Sequence, residues 1–328
     1  MLNKTINQIE VFSILTVFSN PGVHFQGYLT LNGIQQWVSI VGQATTNPVL
    51  LIIHGGPAST YSVFTRATQL FSQKLTVVHW DQRGAGKTYR KQPVVPKSLQ
   101  NLVDDGIELS KKIKQLLPKV PIILLGSSIG SITANLMVQQ AESLYTAYIG
   151  TEQMTRFSHQ YAFNQLMFET SHRFLKQNWL QKYPFNADAW SAKQIETFNI
   201  FSALQKTDVD NMVTNLFIPN LLQCPSYGPQ DYIAFAKGMI VSYNSLHTEL
   251  DTFDYNRLLT ETNLPFYIFQ GEHDPITPTQ ATKIYFNQIK APRKKMIIVP
   301  GTGHLCMFAR PRYFIDKASE LRRLVLKK

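Results

Sequence analysis

The stretch LLGSSIGSI, residues 124–132, holds the pattern glycine–x–serine–x–glycine between an apolar run and a helical pattern. Ser128 is the central serine, and Gly126 and Gly130 flank it. A serine on a strained turn between strand and helix projects its hydroxyl group, and larger flanking residues would clash with that turn. The helix that follows directs its N-terminal amides at the serine, which favours developing negative charge. The alternative is a Gly/Ser-rich turn without chemistry, but this context favours a nucleophile at Ser128.

Apolar runs typical of strands alternate with helical patterns on both sides of this stretch. The strand-like runs are residues 36–42, 49–54, 76–81, 121–126, 146–150, 265–271 and 295–301. Several are apolar throughout, as strands covered on both faces of a sheet are. Helical patterns, such as 102–117 and 131–144, lie between them. The alternation predicts an α/β fold with a mostly parallel sheet and helices on both faces.

This alternation stops after Gly150. Residues 151–264 lack good strands and carry helical stretches, for instance 156–179, and strands then resume. The same residues hold eight Lys and Arg against eleven Asp and Glu, although the whole chain is basic. We therefore predict an inserted helical cap at 151–264, between a first part (1–150) and a second part (265–328) of the α/β core.

Composition limits the classes of function. The chain has 328 residues, a hydrophobic fraction of 44% and a net charge of +11. Residues 283–328 hold twelve Lys and Arg, and a terminal helix with a solvated basic face explains them better than a nucleic acid partner. No apolar run is long enough to span a bilayer. The first 18 residues make a poor signal peptide and are predicted to form a strand or arm. Two cysteines provide no disulfide framework, so we expect a cytoplasmic protein.

A nucleophilic serine needs a base and an acid that orients the base. His304 directly follows the last strand-like run, in a glycine-rich loop, and Asp274 follows the preceding run. The chain order Ser128, Asp274, His304 is the order expected of an α/β-hydrolase, with a mostly parallel sheet and an inserted helical cap. The rival acid is Glu272, for which we expect a salt bridge or a capping role. The rival histidines are His54 and His273, and we expect His54 to pack beneath the neighbouring turn.

The segment HGGPAS, residues 54–59, ends an early apolar strand. In an α/β-hydrolase, the turn at this position provides one amide of the oxyanion hole, and the residue after the nucleophile provides the other. Gly55 and Gly56 let the backbone approach a substrate oxygen, and the proline after them restricts the turn. We therefore predict that the amides of Gly56 and Ile129 form the oxyanion hole.

The segment WDQRGAGKTY, residues 80–89, resembles the end of a phosphate loop. The Walker pattern requires a glycine where Asp81 stands, so the pattern fails. We interpret the segment as a structural turn in which Asp81 and Arg83 pair. No cluster of Cys and His has the spacing of a zinc site, and we expect neither a metal nor a cofactor.

These motifs together resemble the proline iminopeptidase family of α/β-hydrolases. The family's HGGPG, DQRGxGxS and GGSWG stand here as HGGPAS, DQRGAGKT and GSSIGS, over about residues 28–328. Ala58 and Ile129 depart from the family's glycine and tryptophan. The resemblance implies a serine hydrolase without a metal, whose triad is Ser128, Asp274 and His304 and whose oxyanion turn includes Gly55 and Gly56.

The resemblance also implies that acidic residues of the cap bind the free amine of a peptide substrate. The candidates are Glu152 and Glu249, with Glu169 and Asp251 as further possibilities. No motif distinguishes them from ordinary solvated acids.

Three functions remain open. The first is an aminopeptidase that releases an N-terminal residue, and the second is an esterase or amidase for small apolar substrates. The third is a non-catalytic protein that binds a ligand, which a complete triad argues against. The expected partner is a small peptide, ester or amide, rather than nucleic acid or a membrane. Cap aromatics could line an apolar pocket or simply form the core of the cap, and the core is the favoured interpretation; they are Trp179, Trp190, Phe198 and Phe201.

Overall fold

The structure is a computed structural model that describes residues 22–169, 178, 180–204 and 211–325. The predicted N-terminal strand or arm and Trp179 lie outside the described residues. The strands are β1 (Val23–Leu31), β2 (Ile34–Gly42), β3 (Val49–Ile53), β4 (Thr76–Trp80), β5 (Ile122–Ser127), β6 (Ala147–Thr151), β7 (Phe266–Gly271) and β8 (Lys294–Val299). The α-helices are α1 (Thr65–Phe71), α2 (Gly86–Lys91), α3 (Leu99–Leu116), α4 (Ile129–Ala141), α5 (Ser158–Glu169), α6 (Ala192–Ala203), α7 (Ile218–Gln223), α8 (Pro229–Asp251), α9 (Thr279–Gln288), α10 (Cys306–Ala309) and α11 (Pro311–Val325).

All eight strands form one sheet in the order β1-β2-β4-β3-β5-β6-β7-β8. The pairs β1–β2 and β2–β4 are antiparallel, and the pairs from β4 to β8 are parallel. The predicted α/β fold with a mostly parallel sheet is therefore confirmed. In a parallel sheet the carboxyl ends of the strands meet at one edge, so the loops after β3, β5, β6, β7 and β8 lie together.

The central strands are buried on both faces, as their continuous apolar runs predict. Every residue of β3, β5, β6 and β7 is buried. Along β3 the side chains alternate between two apolar cores: Leu51 and Ile53 belong to one, and Leu50 and Ile52 belong to the other. Two-residue periodicity explains this separation, because successive side chains of a strand point to opposite faces.

The edge strand β1 was not among the predicted strands. Its sequence VHFQGYLTL mixes polar and apolar residues, and its burial is correspondingly uneven. It pairs with β2 over its whole length, from Val23 opposite Gly42 to Leu31 opposite Ile34. Pairing between neighbouring strands, rather than a local apolar run, forms this element.

The segment between β6 and β7 is helical, as predicted, and contains α5 to α8. Among its described residues there is no strand beyond one isolated bridge at Glu261. A separate apolar cluster joins α5 and α6 and contains Trp190 and Phe198, with Phe201 packed against it. These aromatics therefore form a core, in agreement with the favoured interpretation. The division into cap and core at 151–264 stays a prediction.

Helix α8 crosses α2 closely at Gly238. A Cβ atom on Gly238 would lie 2.3 Å from the carbonyl oxygen of Gly84, so a side chain at this position would force the helix away from the core. Gly228, one residue before the same helix, has no neighbour nearer than 4.0 Å to such an atom. The contact at Gly238 therefore sets how the helical segment sits on the sheet domain.

We predict that Gly238→Ala destabilises the protein by about 1–3 kcal/mol, because overpacking forces backbone shifts. Urea unfolding monitored by circular dichroism measures this loss. Gly228→Ala is the matched control and should cost less than about 1 kcal/mol. Equal stability of the two variants would contradict the prediction.

Candidate active site

The turn that holds Ser128 has the geometry of a nucleophile elbow. Ser128 lies between β5 and α4 with φ 55° and ψ −130°, a conformation that L-residues rarely adopt. A Cβ on Gly130 would lie 2.2 Å from the oxygen of Ile53, and one on Gly126 would lie 2.7 Å from Cβ of Ala134. Both flanking glycines are thus required where helix and strands meet without intervening side chains.

His304 and Asp274 form a buried pair at the ends of β8 and β7. His304 Nδ1 lies 3.0 Å from Oδ1 and 2.9 Å from Oδ2 of Asp274. The carboxylate also accepts hydrogen bonds from the backbone of Ile276 and Thr277 and from the Thr277 hydroxyl, at 2.8–2.9 Å. Burial alone would raise the pKa of Asp274, but His304 and these donors outweigh burial and hold that pKa below its ordinary value. The carboxylate is therefore ionised and can orient the imidazole.

Close backbone contacts position the His304 loop. A Cβ on Gly271, the last residue of β7, would lie 2.0 Å from the oxygen of Gly303. The backbone N–H of His273 donates to the Thr302 oxygen at 2.9 Å. The loop after β8 therefore lies directly on the end of β7, which brings His304 to the acid after that strand.

The turn after β3 packs against the elbow. A Cβ on Gly55 would lie 2.7 Å from Cβ of Ser128, so only glycine fits here. The carbonyl of Gly55 accepts hydrogen bonds from the backbone and hydroxyl of Ser59, at 3.2 and 2.9 Å. Because the C=O and N–H of a trans peptide unit point in opposite directions, the Gly56 N–H faces away from these donors.

One cavity of about 510 Å³ connects the residues identified so far. Its lining includes Ser128, His304, Gly56 and Ile129, so the structure brings the predicted nucleophile, base and oxyanion residues to the same cavity. Asp274 lies behind His304 and does not line it. Helices α6 and α8 and the short π-helix Met212–Phe217 contribute apolar walls.

The rival residues have other partners. Glu272 Oε2 accepts from the backbone of Gly301 at 2.8 Å and lies 3.5 Å from His273, so Glu272 caps the loop, as expected. His54 is buried beneath the turn, where its Nε2 accepts from the Gln82 backbone at 3.2 Å and its Nδ1 lies 3.0 Å from the Gly55 oxygen. Neither is paired with Ser128 or with Asp274.

The predicted pairing of Asp81 with Arg83 is wrong. Arg83 forms a bidentate ion pair with Asp105 on α3, at 2.9 Å for both contacts. Asp81 is buried and accepts hydrogen bonds from two hydroxyl groups, that of Thr60 in the loop after β3 and that of Tyr227. The physical reason is that Asp81 faces the loop after β3, whose hydroxyls can satisfy a buried carboxylate, while Arg83 reaches out to a helix.

Two of the predicted amine-binding acids, Glu152 and Glu249, do not line the cavity. Glu152 is completely buried, and its carboxylate contacts the Ser127 hydroxyl and the Cys306 backbone. Glu249 accepts from the backbone of Leu99 at 2.8 Å and thereby caps α3. The side chain of Glu169 lies outside the described residues.

Two acids of the helical segment do line the cavity, and one of them was among the predicted candidates. They are Asp251, a considered candidate, and Glu196 on α6. Asp251 Oδ2 is buried and has no hydrogen-bond partner among the described residues. Burial raises the pKa of Asp251, and the nearby charge of Glu196 raises it further, against the opposing effect of His247. The sequence signal for an amine-binding site here was the net negative charge of residues 151–264.

Cys224 and Cys306 are both buried, and they form no disulfide bond within the described residues. In the described part of the chain, no group of three or more His, Cys, Asp or Glu side chains has a metal-binding arrangement. Likewise, none of the described helices combines the length and apolarity needed to cross a membrane.

Comparison with known proteins identifies relatives over most of the chain. A family model described as alpha/beta hydrolase fold matches residues 48–311. A probable aminopeptidase, YbaC of Bacillus subtilis (strain 168), is 25% identical over 311 residues, which cover 89% of this chain and 94% of YbaC. A proline iminopeptidase of Lactobacillus delbrueckii subsp. bulgaricus is 23% identical over 289 residues, covering 85% and 90% of the two chains. The predicted resemblance to proline iminopeptidases is confirmed.

Solved structures share the fold. An esterase from Thermogutta terrifontis superposes with a TM-score of 0.54 at 18% identity, covering 92% of this chain and 98% of the esterase. At this identity the likeness describes the fold alone.

The neutral state of His54 makes stability depend on pH. Gln82 N–H can only donate, so Nε2 must accept and Nδ1 carries the proton toward Gly55. Burial lowers the pKa of His54 from 6.5 to about 4. The unfolded chain therefore takes up this proton near pH 6.5 while the folded chain resists it until about pH 4, so acid favours unfolding across that range.

We predict that His54 contributes about 3 kcal/mol to the loss of stability between pH 6.5 and 4. Urea unfolding of the wild type and of His54→Gln at pH 7.5, 5.5 and 4.5 measures the difference. Gln keeps a donor and an acceptor but does not titrate. The free energy of unfolding of the variant should therefore fall less than that of the wild type as the pH is lowered. Parallel pH profiles for the two proteins would contradict this assignment.

Proposed function

Because the chain belongs to the alpha/beta hydrolase fold family and is a hydrolase, we propose that it is a serine hydrolase that releases an N-terminal residue from small peptides. The observation that carries the proposal is the Asp274–His304 pair beside Ser128 at one cavity. The probable aminopeptidase and the proline iminopeptidase among its relatives support the choice of a peptide substrate. The non-catalytic alternative is set aside, since the chain is an enzyme.

In the proposed acylation, His304 takes the proton of the Ser128 hydroxyl as the oxygen attacks the substrate carbonyl. Asp274 holds the proton on Nδ1, so that Nε2 is the basic nitrogen. The same carboxylate stabilises the imidazolium that forms. Ionised Asp274 is held by five donors, which are the Gln270 amide, the Ile276 and Thr277 backbone, the Thr277 hydroxyl and His304, so its charge is already oriented before the reaction.

The proposed oxyanion hole consists of the Gly56 and Ile129 amides. Both residues line the cavity at Ser128, and Ile129 is the first residue of α4, so its N–H has no partner inside that helix. The Gly56 N–H faces away from the donors that hold the Gly55 carbonyl. Each such donor is typically worth about 3–4 kcal/mol of barrier.

Acylation is completed when His304 gives its proton to the nitrogen of the leaving amine as the C–N bond breaks, which leaves the acyl-enzyme. In the proposed second half-reaction, water attacks the acyl carbonyl while His304 takes its proton, and His304 then passes that proton to the Ser128 oxygen as the acyl C–O bond breaks and the acid product leaves. No metal or cofactor takes part in these steps, which require only the residues already described.

A free amine on the substrate fits the acids of the cavity. Asp251 offers a buried carboxylate oxygen that has no hydrogen-bond partner in the described part of the chain, and Glu196 lies close enough to interact with it electrostatically. Glu196 also pairs with exposed Lys193 at 2.9 Å, an ion pair that a substrate ammonium can replace at little cost. An ammonium between the two acids would relieve their mutual repulsion and satisfy Asp251. The site therefore favours a cationic amine at the end of the cavity formed by α6 and α8.

The second candidate function is an esterase or amidase for small apolar substrates. It is favoured by the apolar side chains that dominate the cavity, among them Met154, Phe217, Phe235 and Met239. The same walls also suit the ring of a proline or another apolar N-terminal residue. The choice between the two functions depends on whether turnover needs the amine.

We predict hydrolysis of a proline arylamide with a free amine and at least a hundredfold slower hydrolysis of its N-acetylated form. Ser128→Ala should fold normally and lose activity by a factor of about 10⁴ or more, because the nucleophile is removed. The assay measures arylamine release, with circular dichroism as the folding control. Turnover of a short acyl ester alone, dependent on Ser128, would support the esterase instead.

We predict that Asp251→Asn raises KM for the free-amine substrate about tenfold or more, because a charge-assisted hydrogen bond is lost. Glu196→Gln should act in the same direction and more weakly, since Glu196 is partly solvated. Glu249→Gln is the matched control, an acid of the same helical segment that caps α3. If Glu249→Gln alone raised KM, the assignment of the amine site to this cavity would be wrong.

A further inference from the structure

Glu152 is a buried acid that the proposed mechanism does not use. It follows β6 directly, has no exposed surface and adopts φ 49°, in the left-handed region that favours glycine. Such a conformation costs about 1–3 kcal/mol, and a buried carboxylate costs more unless it is hydrogen-bonded. Two unfavourable features at one position, next to a catalytic site, point to a role in that site.

Hydrogen bonds link Glu152 to three loops of the site. Oε1 accepts from the backbone N–H of Cys306 at 2.7 Å, two residues after His304. Oε2 accepts from the hydroxyl of Ser127 at 3.0 Å, the residue before Ser128. The Tyr61 hydroxyl, in the loop that carries the oxyanion turn, lies 2.9 Å from the same Ser127 oxygen. One carboxylate thus connects the elbow, the histidine loop and the oxyanion loop.

The donors around Glu152 match an ionised carboxylate. The Cys306 N–H can only donate, and Ser127 donates to Oε2, which leaves the Ser127 oxygen to accept from Tyr61. Each hydrogen bond in the chain then points toward the carboxylate. With Glu152 as the anion, both carboxylate oxygens accept and every donor of this network is satisfied.

We propose that Glu152 is a positioning residue of this hydrolase: it fixes Ser128 relative to the His304 loop, and its negative charge stabilises the His304 imidazolium that forms during attack. This inference rests on the proposed function, because it assumes that Ser128 is the nucleophile and His304 the base. Asp274 contacts the imidazole directly, whereas Glu152 acts through the backbone of Cys306 and through space.

The charge effect depends on which ionisable groups face Glu152. In the described residues these are His304, Asp274, the Cys306 thiol and the Tyr61 hydroxyl. Burial raises the pKa of Glu152, His304 lowers it, and Asp274 raises it. Burial also keeps Tyr61 protonated, because it raises the pKa of that phenol well above its ordinary value. Of these described groups, His304 is the base that gains a positive charge, and both carboxylates interact with that charge.

The test measures how fast Ser128 reacts with a fluorophosphonate probe between pH 5 and 9, with kinact and KI resolved. The proteins are the wild type, Glu152→Gln, Glu152→Asp and the exposed-acid control Glu261→Gln. Glu152→Gln keeps the size and an acceptor but loses the charge. We expect its kinact to fall at least tenfold with KI unchanged, and the acidic limb of its pH profile to move to lower pH by about half a unit or more.

Glu152→Asp keeps the charge but shortens the side chain, so its rate should fall while its acidic limb stays near that of the wild type. A merely structural residue would lower the rate in both variants without moving the limb, and that result would overturn the charge effect. If Glu152→Gln does not fold, Ser127→Ala decides the positioning role: an unchanged kinact would overturn it, and a fall of about fivefold or more would support it. Thermal unfolding of each variant checks the fold.

The two proposals fail in different ways. No labelling of wild-type Ser128 would overturn the proposed function and this inference with it. If wild-type Ser128 is labelled but the Glu152 variants keep the same kinact and the same acidic limb of the pH profile, the proposed serine hydrolase stands and this inference alone is overturned.

Discussion

The contact between the start of α4 and the ends of β3 and β5 is the constraint on which the whole site depends. At Gly130 the helix lies so near the strand that a methyl group would meet the Ile53 oxygen at 2.2 Å. This approach holds Ser128 at a positive φ, and Gly55 fits against Ser128 for the same reason. The strain is sustained because fully buried strands surround it, and the result is a serine that lines the cavity at the edge where the other loops meet.

Buried polar groups give those loops a single arrangement. Asp274, Glu152 and Asp81 are all completely or nearly completely buried, and each accepts several hydrogen bonds from backbone or hydroxyl donors. An unsatisfied carboxylate in such surroundings would be costly, so each network is stable only when its loops are in register. Asp81 anchors the loop after β3, Glu152 joins the elbow to the histidine loop, and Asp274 orients His304. The three acids thus act on three different parts of one site.

The helical segment between β6 and β7 determines what the site can accept. Its helices α6 and α8 line the cavity with apolar side chains, and they also carry the acids at its other end. Asp251 has a carboxylate oxygen without a hydrogen-bond partner in the described ranges, in contrast to the satisfied carboxylates of the core. Carboxylates whose oxygens all accept hydrogen bonds from the chain suit a rigid catalytic framework. A carboxylate oxygen that accepts none from the chain can accept one from a bound ligand. The contact at Gly238 fixes this segment against the turn at Gly84.

Local patterns in the sequence determined the α/β class, the elbow at Ser128 and the pairing of Asp274 with His304, because each depends on residues next to a strand end and on chain order. Other features came only from the tertiary structure. Strand β1 forms through pairing with β2, Arg83 selects Asp105 rather than Asp81, and Glu249 caps a helix instead of facing a ligand. Likewise, nothing local distinguishes Glu196 or the network of Glu152 from solvated acids. Burial and side-chain partners depend on segments far apart in the chain, so the sequence predicted the catalytic framework while the fold decided which acids surround it.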